Sequence, residues 1–204
     1  EPEEVAEMLS LLDLKYAVIT SVDRDDLLDG GAEHWAQTII KIRQKSPALK
    51  IEVLIPDFQG NEEHIGKVCE ARPDVLAHNL ETVASLQESV RPQCRYDWSL
   101  KTLEIANTRY GLITKSGMML GMGETEEEVI QAMKDLVNVG CKIFSLGQYL
   151  RPTMKHLEVV EYILPGKFEE YKSIGESLGF GHVEAGPLVR SSYMAEQQAA
   201  QLIK

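Results

Sequence analysis

Lys115-Ser-Gly-Met-Met-Leu-Gly-Met-Gly-Glu-Thr-Glu-Glu-Glu128 reads as an apolar strand that runs into a glycine-punctuated turn and straight into a helix. Thr125 and Glu128 have the S/T-x-x-E spacing of a capping box, in which each side chain bonds the other's backbone at a helix start. Val129, Ile130, Met133, Leu136 and Val137 follow at helical spacing. Gly121 and Gly123 stand where the backbone must turn tightly or come close to a ligand. A strand-to-helix turn of this kind faces the active-site end of a parallel barrel or doubly wound sheet.

The rest of the chain repeats that unit. An amphipathic helix over 3–13, through Val5, Met8, Leu9 and Leu12, leads to the run Tyr16–Val22, which is too uniformly apolar to be half exposed. Asp23–Asp26 and Gly30-Gly31 separate it from a helix through Trp35, Ile39 and Ile42 that stops at Ser46-Pro47. Ile51–Ile55 is the next strand, and Asn61 caps a short helix carrying Ile65, Val68 and Cys69. Asp74–Ala77 is a strand, followed by His78-Asn-Leu-Glu81, a helix from about Thr82, Arg91-Pro92 and a longer helix over 98–108. The quoted strand covers about 112–120 and its helix ends near Val139, with Gly140 as its C′ residue. Strand 142–146, an irregular stretch with Pro152 and Pro165, and a helix over 167–178 follow. The short run His182–Ala185 and a final helix rich in Ala and Gln close the chain.

Such βα alternation predicts an α/β fold, a parallel sheet with helices outside it. Five strands joined by right-handed crossovers, with the short run at 182–185 after them, suit an open or partial barrel better than a closed eight-stranded one. The leading helix has no strand of its own, so one strand is expected upstream of Glu1. Residues 1–204 then form one incomplete barrel domain, with 186–204 as a C-terminal tail.

At 204 residues, a single domain buries about 70% of its unfolded surface. The net charge of -11 argues against a nucleic-acid partner, which needs a basic footprint. No apolar run approaches the length of a membrane span, and no signal peptide opens the chain. The three cysteines Cys69, Cys94 and Cys141 make no C-x-x-C pair, and their odd number fits a reduced, cytoplasmic setting. Cys69 and Cys141 read as buried apolar thiols.

Ligands bind at the carboxyl ends of the strands in folds of this class. Those ends carry Ser21 and Asp23, Asp57, Asn79 and Glu81, Gly121 and Glu124, and then Gln148 and Tyr149. Amides and carboxylates there suit ribose hydroxyls and an α-amino group, and strand-end backbone around Gln148–Leu150 suits adenine. Lys101, on the helix after Trp98-Ser99-Leu100, is a candidate partner for a ligand carboxylate. The histidines at 34, 64, 78, 156 and 182 are scattered, and only His78 stands at a strand end. No Ser-His-Asp ordering and no H-E-x-x-H is present.

Gly117-x-Met119-x-Gly121-x-x-Glu124 fits the G-x-I-x-G-x-x-E pattern of radical S-adenosylmethionine (SAM) enzymes, with Met for Ile. Val18–Leu27, His78–Glu81, Arg91-Pro92, Trp98–Lys101, Thr114–Gly117, Gly121–Thr125, Leu146–Leu150 and Arg190-Ser-Ser-Tyr193, taken together, resemble the lipoyl synthase family, and the resemblance runs over nearly the whole length of the chain. It implies a radical SAM sulfurtransferase on a partial (β/α)6 TIM-like barrel with two [4Fe-4S] clusters. One cluster cleaves SAM to a 5′-deoxyadenosyl radical that attacks carbons six and eight of a protein-bound octanoyl chain; the other is consumed as the sulfur source. Implied partners are octanoylated lipoyl carrier domains, either the glycine-cleavage carrier or oxo-acid dehydrogenase acyltransferase subunits, and a reducing electron donor.

Residue by residue, the resemblance makes Ser192, the second serine of Arg-Ser-Ser-Tyr, a catalytic serine ligand to the auxiliary cluster. Ser21, Asn79, Glu81, Lys101 and Gly121 fall to SAM, together with Gln148, Tyr149 and Leu150. The family's cysteine triplets, C-x3-C-x2-C and C-x4-C-x5-C, are not in this sequence and are expected upstream, so these residues alone are expected to be inactive. Two other readings remain open: a non-catalytic piece that keeps the SAM groove, and another barrel enzyme such as an aldolase or a phosphate-binding isomerase.

Overall fold

The computed structural model describes residues 1–203. Six parallel strands form one sheet in chain order: β1 (Tyr16–Thr20), β2 (Lys50–Leu54), β3 (Val75–Ala77), β4 (Ile113–Leu120), β5 (Ile143–Gln148) and β6 (His182–Ala185). The run at 182–185 is therefore a full sixth member, paired along β5 from Ile143–His182 to Leu146–Ala185. Consecutive neighbours all running parallel give the partial barrel expected from the βα pattern.

The outer layer comprises α1 (Pro2–Leu11), α2 (Ala32–Lys45), α3 (Glu62–Glu70), the single turn α4 (Gln87–Val90), α5 (Tyr96–Glu104), α6 (Glu126–Asn138) and α7 (Pro165–Leu178). Local chemistry sets their ends. The Asn61 side chain accepts the Glu63 and His64 amides, and Thr125 and Glu128 form both halves of the capping box. After α6, Gly140 (φ +84°) donates to Val137 and Cys141 donates to Leu136, the two bonds of a Schellman stop. The helix expected from Thr82 is shorter than its pattern, a 3-10 turn (Ala84–Leu86) running into α4, because Pro92 blocks continuation past Arg91.

Two apolar clusters fill the space between sheet and helices. One joins α2, α3 and the outward residues of β1–β3, including Trp35, Ile39, Ile51 and Val53; the other joins α6, α7 and β4–β6, including Met133, Phe144, Phe168 and Val183. Only one side of α1 takes part: Ala6 is buried and Val5 and Leu9 pack on the core, while Met8 and Leu12, expected on that face, are exposed.

The barrel interior is polar. Lys115, Gly117 and Met119 alternate along the inner face of β4. Lys115 Nζ donates to Glu52 Oε1 (2.9 Å) and Tyr16 donates to Glu52 Oε2 (2.6 Å), and both charged side chains are 1% exposed. The C-terminal tail then closes the structure. Its short helix α8 (Ala195–Ala199) packs on both edge strands, β6 and β1. Ala199, Leu202 and Ile203 pack with Tyr16, Val75, Ile113 and Ile143, at or next to the amino ends of their strands. A covered edge cannot recruit another strand, so the tail completes an otherwise open sheet.

Candidate functional site

The groove lies on the carboxyl ends of the strands, at the rim where the polar residues were expected. One cavity of about 320 Å³ is lined by Asn79, Glu81, Gly117, Met119, Gly147 and Arg190 among others. A smaller depression beside it shares Asn79 and Glu81 and adds Ser21, His78 and Arg91. Asn79 and Glu81 thus stand at the junction.

Local backbone geometry explains how they reach it. Past β3 the chain bends so that Glu81 adopts a left-handed conformation (φ +68°), rare for a residue with a Cβ. It is held there by two bonds to β4: Glu81 N–H to Gly117 O (2.9 Å) and Met119 N–H to Glu81 O (2.9 Å). Burial pushes the Glu81 carboxyl above the usual carboxylate range, although Arg91 and the Asn79 amide pull it back in part. Arg91 also donates to Asn79 O at 3.1 Å. Asn79 Oδ1 is buried without a hydrogen-bond partner. An orphaned acceptor facing a cavity costs free energy unless a ligand donor meets it.

Two glycines of the inner face owe their identity to space. A Cβ on Gly117 would stand 3.1 Å from Asn79 Oδ1 and 3.4 Å from Ser145 O. A Cβ on Gly147 would collide with the carbonyl of Val189 in the tail. Gly117 therefore opens the groove, and Gly147 admits the tail, whose Val189, Arg190 and Ser191 form one wall. Ser192 is the next residue along and is exposed, with its carbonyl accepting from the Ala195 amide at 3.4 Å. The tail thus comes back over the groove near Asn79.

Other expected site residues go elsewhere. Ser21 lines the smaller depression, where its hydroxyl donates to Val22 O (2.9 Å). Gly121 (φ +99°) belongs to the turn: its amide and that of Met122 are held by the Glu124 carboxylate, and a Cβ would strike Glu161 O and Gln148 Nε2. The Gln148 side chain points away from the groove and braces this shoulder, donating to Leu120 O, Tyr149 O and Glu161 O and accepting from Ile163 N–H. The backbone amides of Gln148 and Tyr149 are engaged by Pro187 O and Leu120 O, and Tyr149 Oη donates to Leu157 O. Leu150 is 47% exposed beyond them. Lys101 pairs with Glu62 at 3.2 Å on the outer helical layer, because Ser99, Thr102 and Leu103 take the buried face of α5. Of the expected residues the groove gathers Asn79 and Glu81 beside the tail, Ser21 lies in the adjoining depression, and Lys101, Gly121 and Gln148 are outside both.

His78 is a core histidine. Its Nδ1 meets Ile55 O (2.8 Å), so this nitrogen carries the proton, and Nε2 accepts from Ser99 (2.9 Å). Burial, with Arg91 adding to it, lowers its pKa to about 4. A depressed histidine contributes stability that is present above the unfolded pKa and lost as pH falls towards the folded one. The loss should amount to about 3 kcal/mol between about pH 6.5 and pH 4. Urea unfolding across that range tests this, with His78→Gln expected to flatten the part of the slope above pH 5.

Arg91 and Gly117 were not singled out as site residues in the sequence. Both stand in stretches that carry the family resemblance, Arg91-Pro92 and the Gly117-x-Met119-x-Gly121 pattern, but neither is a strand-end residue with a polar side chain to offer a ligand.

S-adenosylmethionine fits this groove: an orphaned buried acceptor, a buried carboxyl and a glycine-made opening suit a cationic, hydroxyl-bearing ligand. An iron-sulfur cluster does not fit these residues. Cys69 and Cys141 are buried in separate core clusters with thiols pushed up to about 12, Cys94 lies apart from both, and the described residues hold no grouping of three or more His, Cys, Asp or Glu able to take a metal. No helix among the described residues is long and apolar enough to cross a membrane.

The radical SAM superfamily profile matches residues 1–136. Lipoyl synthase of Treponema denticola is 53% identical over 198 residues, covering 97% of this chain and 68% of that protein. Its counterpart in Caldicellulosiruptor saccharolyticus is 54% identical, covering 97% and 70%. Among solved structures, Streptococcus suis SuiB bound to S-adenosylmethionine superposes with a TM-score of 0.68 at 12% identity, over 89% of this chain and 41% of that one. Methylornithine synthase (PylB) gives 0.63 at 12% identity, over 90% and 60%. At such identity these two speak for the fold alone. With half the residues shared along almost its entire length, and the superfamily profile lying across its first four parallel strands, the chain belongs to the lipoyl synthase family of the radical SAM superfamily.

Proposed function

We propose that this chain is the barrel of a lipoyl synthase, which inserts two sulfur atoms at carbons six and eight of a protein-bound octanoyl group. The observation that carries the site is the junction at Asn79 and Glu81, where an unpartnered acceptor and a buried carboxyl face the same opening. Bound S-adenosylmethionine supplies the 5′-deoxyadenosyl radical for hydrogen abstraction. The chain's own residues bind and shield. Asn79 Oδ1 accepts from a ligand hydroxyl or ammonium, and Glu81 as carboxylate balances the ligand's positive charge. Arg91 fixes the turn through the Asn79 carbonyl, and Val189 and Met119 keep the wall apolar.

In this reading two [4Fe-4S] clusters serve the full-length protein, and their cysteine ligands are not among these residues. Ser192 is the proposed serine ligand of the auxiliary one; an oxygen donor is a harder and weaker partner for iron than thiolate. The acyl donors are octanoylated lipoyl carrier domains of the glycine-cleavage or oxo-acid dehydrogenase systems, with a low-potential electron donor, in a reducing cytoplasm.

Titration calorimetry of S-adenosylmethionine against the cluster-loaded full-length protein tests the groove. Glu81→Gln should weaken binding about tenfold or more, the scale of a charged hydrogen bond. Wild-type affinity should fall on acidification from a higher pH than an ordinary carboxylate sets, because the raised Glu81 must stay ionised, and the variant should lose that dependence. Lys101→Ala should bind as wild type. Unchanged affinity in Glu81→Gln would remove the assignment.

A further inference from the structure

The Arg190–Met194 turn is exposed at its tip, yet the chain on both sides of it is fixed. Before the turn, Pro187 O accepts the Gln148 amide (3.3 Å) and Val189 lies against Gly147, where only a glycine leaves room. After it, the chain enters α8, whose Gln198 is 1% exposed. The Gln198 side chain joins two parts of the molecule. Its Nε2 donates to the carbonyl of Tyr193 inside the turn, and its Oε1 accepts from Ser145 Oγ (3.4 Å) on the inner face of β5. Ser145 itself lines the groove, alongside Asn79, Gly117 and Ser191. A buried primary amide with both ends engaged resists rotation, because turning it leaves a donor and an acceptor unmatched.

We propose that Gln198 and Ser145 form a positioning clip that fixes the Arg190–Met194 turn against the groove. The tail's course along the open edge of the barrel then sets how near Ser191 and Ser192 stand to the bound ligand. Two features make this more than general packing. The core residues that hold the tail, Ala199, Leu202 and Ile203, pack at the opposite end of the strands, away from the turn. And the Gln198 amide reaches into the turn itself, at the backbone carbonyl of Tyr193, the residue that follows Ser192. Met194, which starts α8 with φ +46°, marks the reversal of direction that this bond spans.

The clip concerns this chain's own conformation, while the identity of the groove ligand rests on the function proposed above. Both are separable in one experiment on the full-length protein. Gln198→Met keeps the volume and removes both hydrogen bonds; Ser145→Ala removes one. Hydrogen exchange followed by mass spectrometry should show peptides spanning 188–198 exchanging about tenfold faster in Gln198→Met and less so in Ser145→Ala, the scale of one or two hydrogen bonds. Peptides from β1, β4 and β6 should keep their rates. Under the same conditions S-adenosylmethionine affinity should drop several-fold, since one wall of its groove is loosened. Faster exchange at 188–198 with unchanged affinity keeps the clip and removes the assignment of the groove. Unchanged exchange at 188–198 in Gln198→Met, or acceleration spread over β1 and β6 as well, overturns the clip.

Discussion

Lys115→Met is expected to destabilise the domain by about 3–5 kcal/mol, the cost typical of leaving a buried ion without its partner. Lys115 is among the largest side chains buried below 2% exposure, and its ammonium meets Glu52 in the barrel interior at 2.9 Å. Tyr16 supplies the second bond to that carboxylate, and burial together with Glu52 raises its pKa, so the hydroxyl remains a donor at any working pH. Removing the ammonium strands Glu52 with a single neutral donor in a site 1% exposed. Native domains have about 5–15 kcal/mol in hand, so the variant should approach the limit of folding. The pair need not stabilise relative to apolar residues: Glu52→Leu combined with Lys115→Met should lose much less stability than the two single losses added together. Urea unfolding of all three variants closes the cycle. A loss below 1 kcal/mol in Lys115→Met would mean that the interior is wetter than its packing implies.

That pair also shows where sequence reading succeeded and where it stopped. The strands were legible because parallel strands buried on both faces are nearly uninterrupted apolar runs, and the helix ends because Asn61, Thr125 and Gly140 act within a few residues of themselves. Contacts across the barrel have no such local signature. Lys115 reads as a strand-opening lysine until β4 is set beside β3 and β2, when it faces Glu52, itself an acid inside an apolar strand. The strand-end rule pointed to Asn79, Glu81 and Ser21, which line one depression at the edge of the groove. It also took in Gln148, whose side chain leaves β5 on the outer face, and Gly121, which serves the turn. Lys101 needed the helical phase of α5: three residues of that helix face inwards, and it is not among them. The tail was legible as letters and not as a path, because its anchor on β1 and β6 joins the two ends of the chain.

Gly117→Val should abolish S-adenosylmethionine binding in the full-length protein, with at least a 100-fold loss in affinity, while the barrel stays folded. Several glycines here have positive φ, among them Gly121 and Gly123, and need it for their turns; Gly117 does not. Its backbone is ordinary strand, paired with Ser145 across the β4–β5 ladder, so a valine meets no conformational penalty and has good strand propensity. Space is the only thing the glycine provides. The new Cβ would sit 3.1 Å from Asn79 Oδ1 and 3.4 Å from Ser145 O, and its two methyl groups would extend into the opening beside Glu81 and Arg190. Asn79 would have to turn away, so the variant loses both the room and the acceptor. About 2.7 kcal/mol accounts for 100-fold, less than the combined cost of overpacking and a lost hydrogen bond. Gly117→Ala is the graded partner: one Cβ asks for a shift of a few tenths of an ångström, and the loss should be about tenfold. Calorimetry of the two variants, with thermal unfolding beside it, separates a filled groove from a damaged barrel. If Gly117→Val binds as wild type while its unfolding temperature holds, the ligand does not occupy the space between β3 and β4, and the groove's function must be sought elsewhere on the rim.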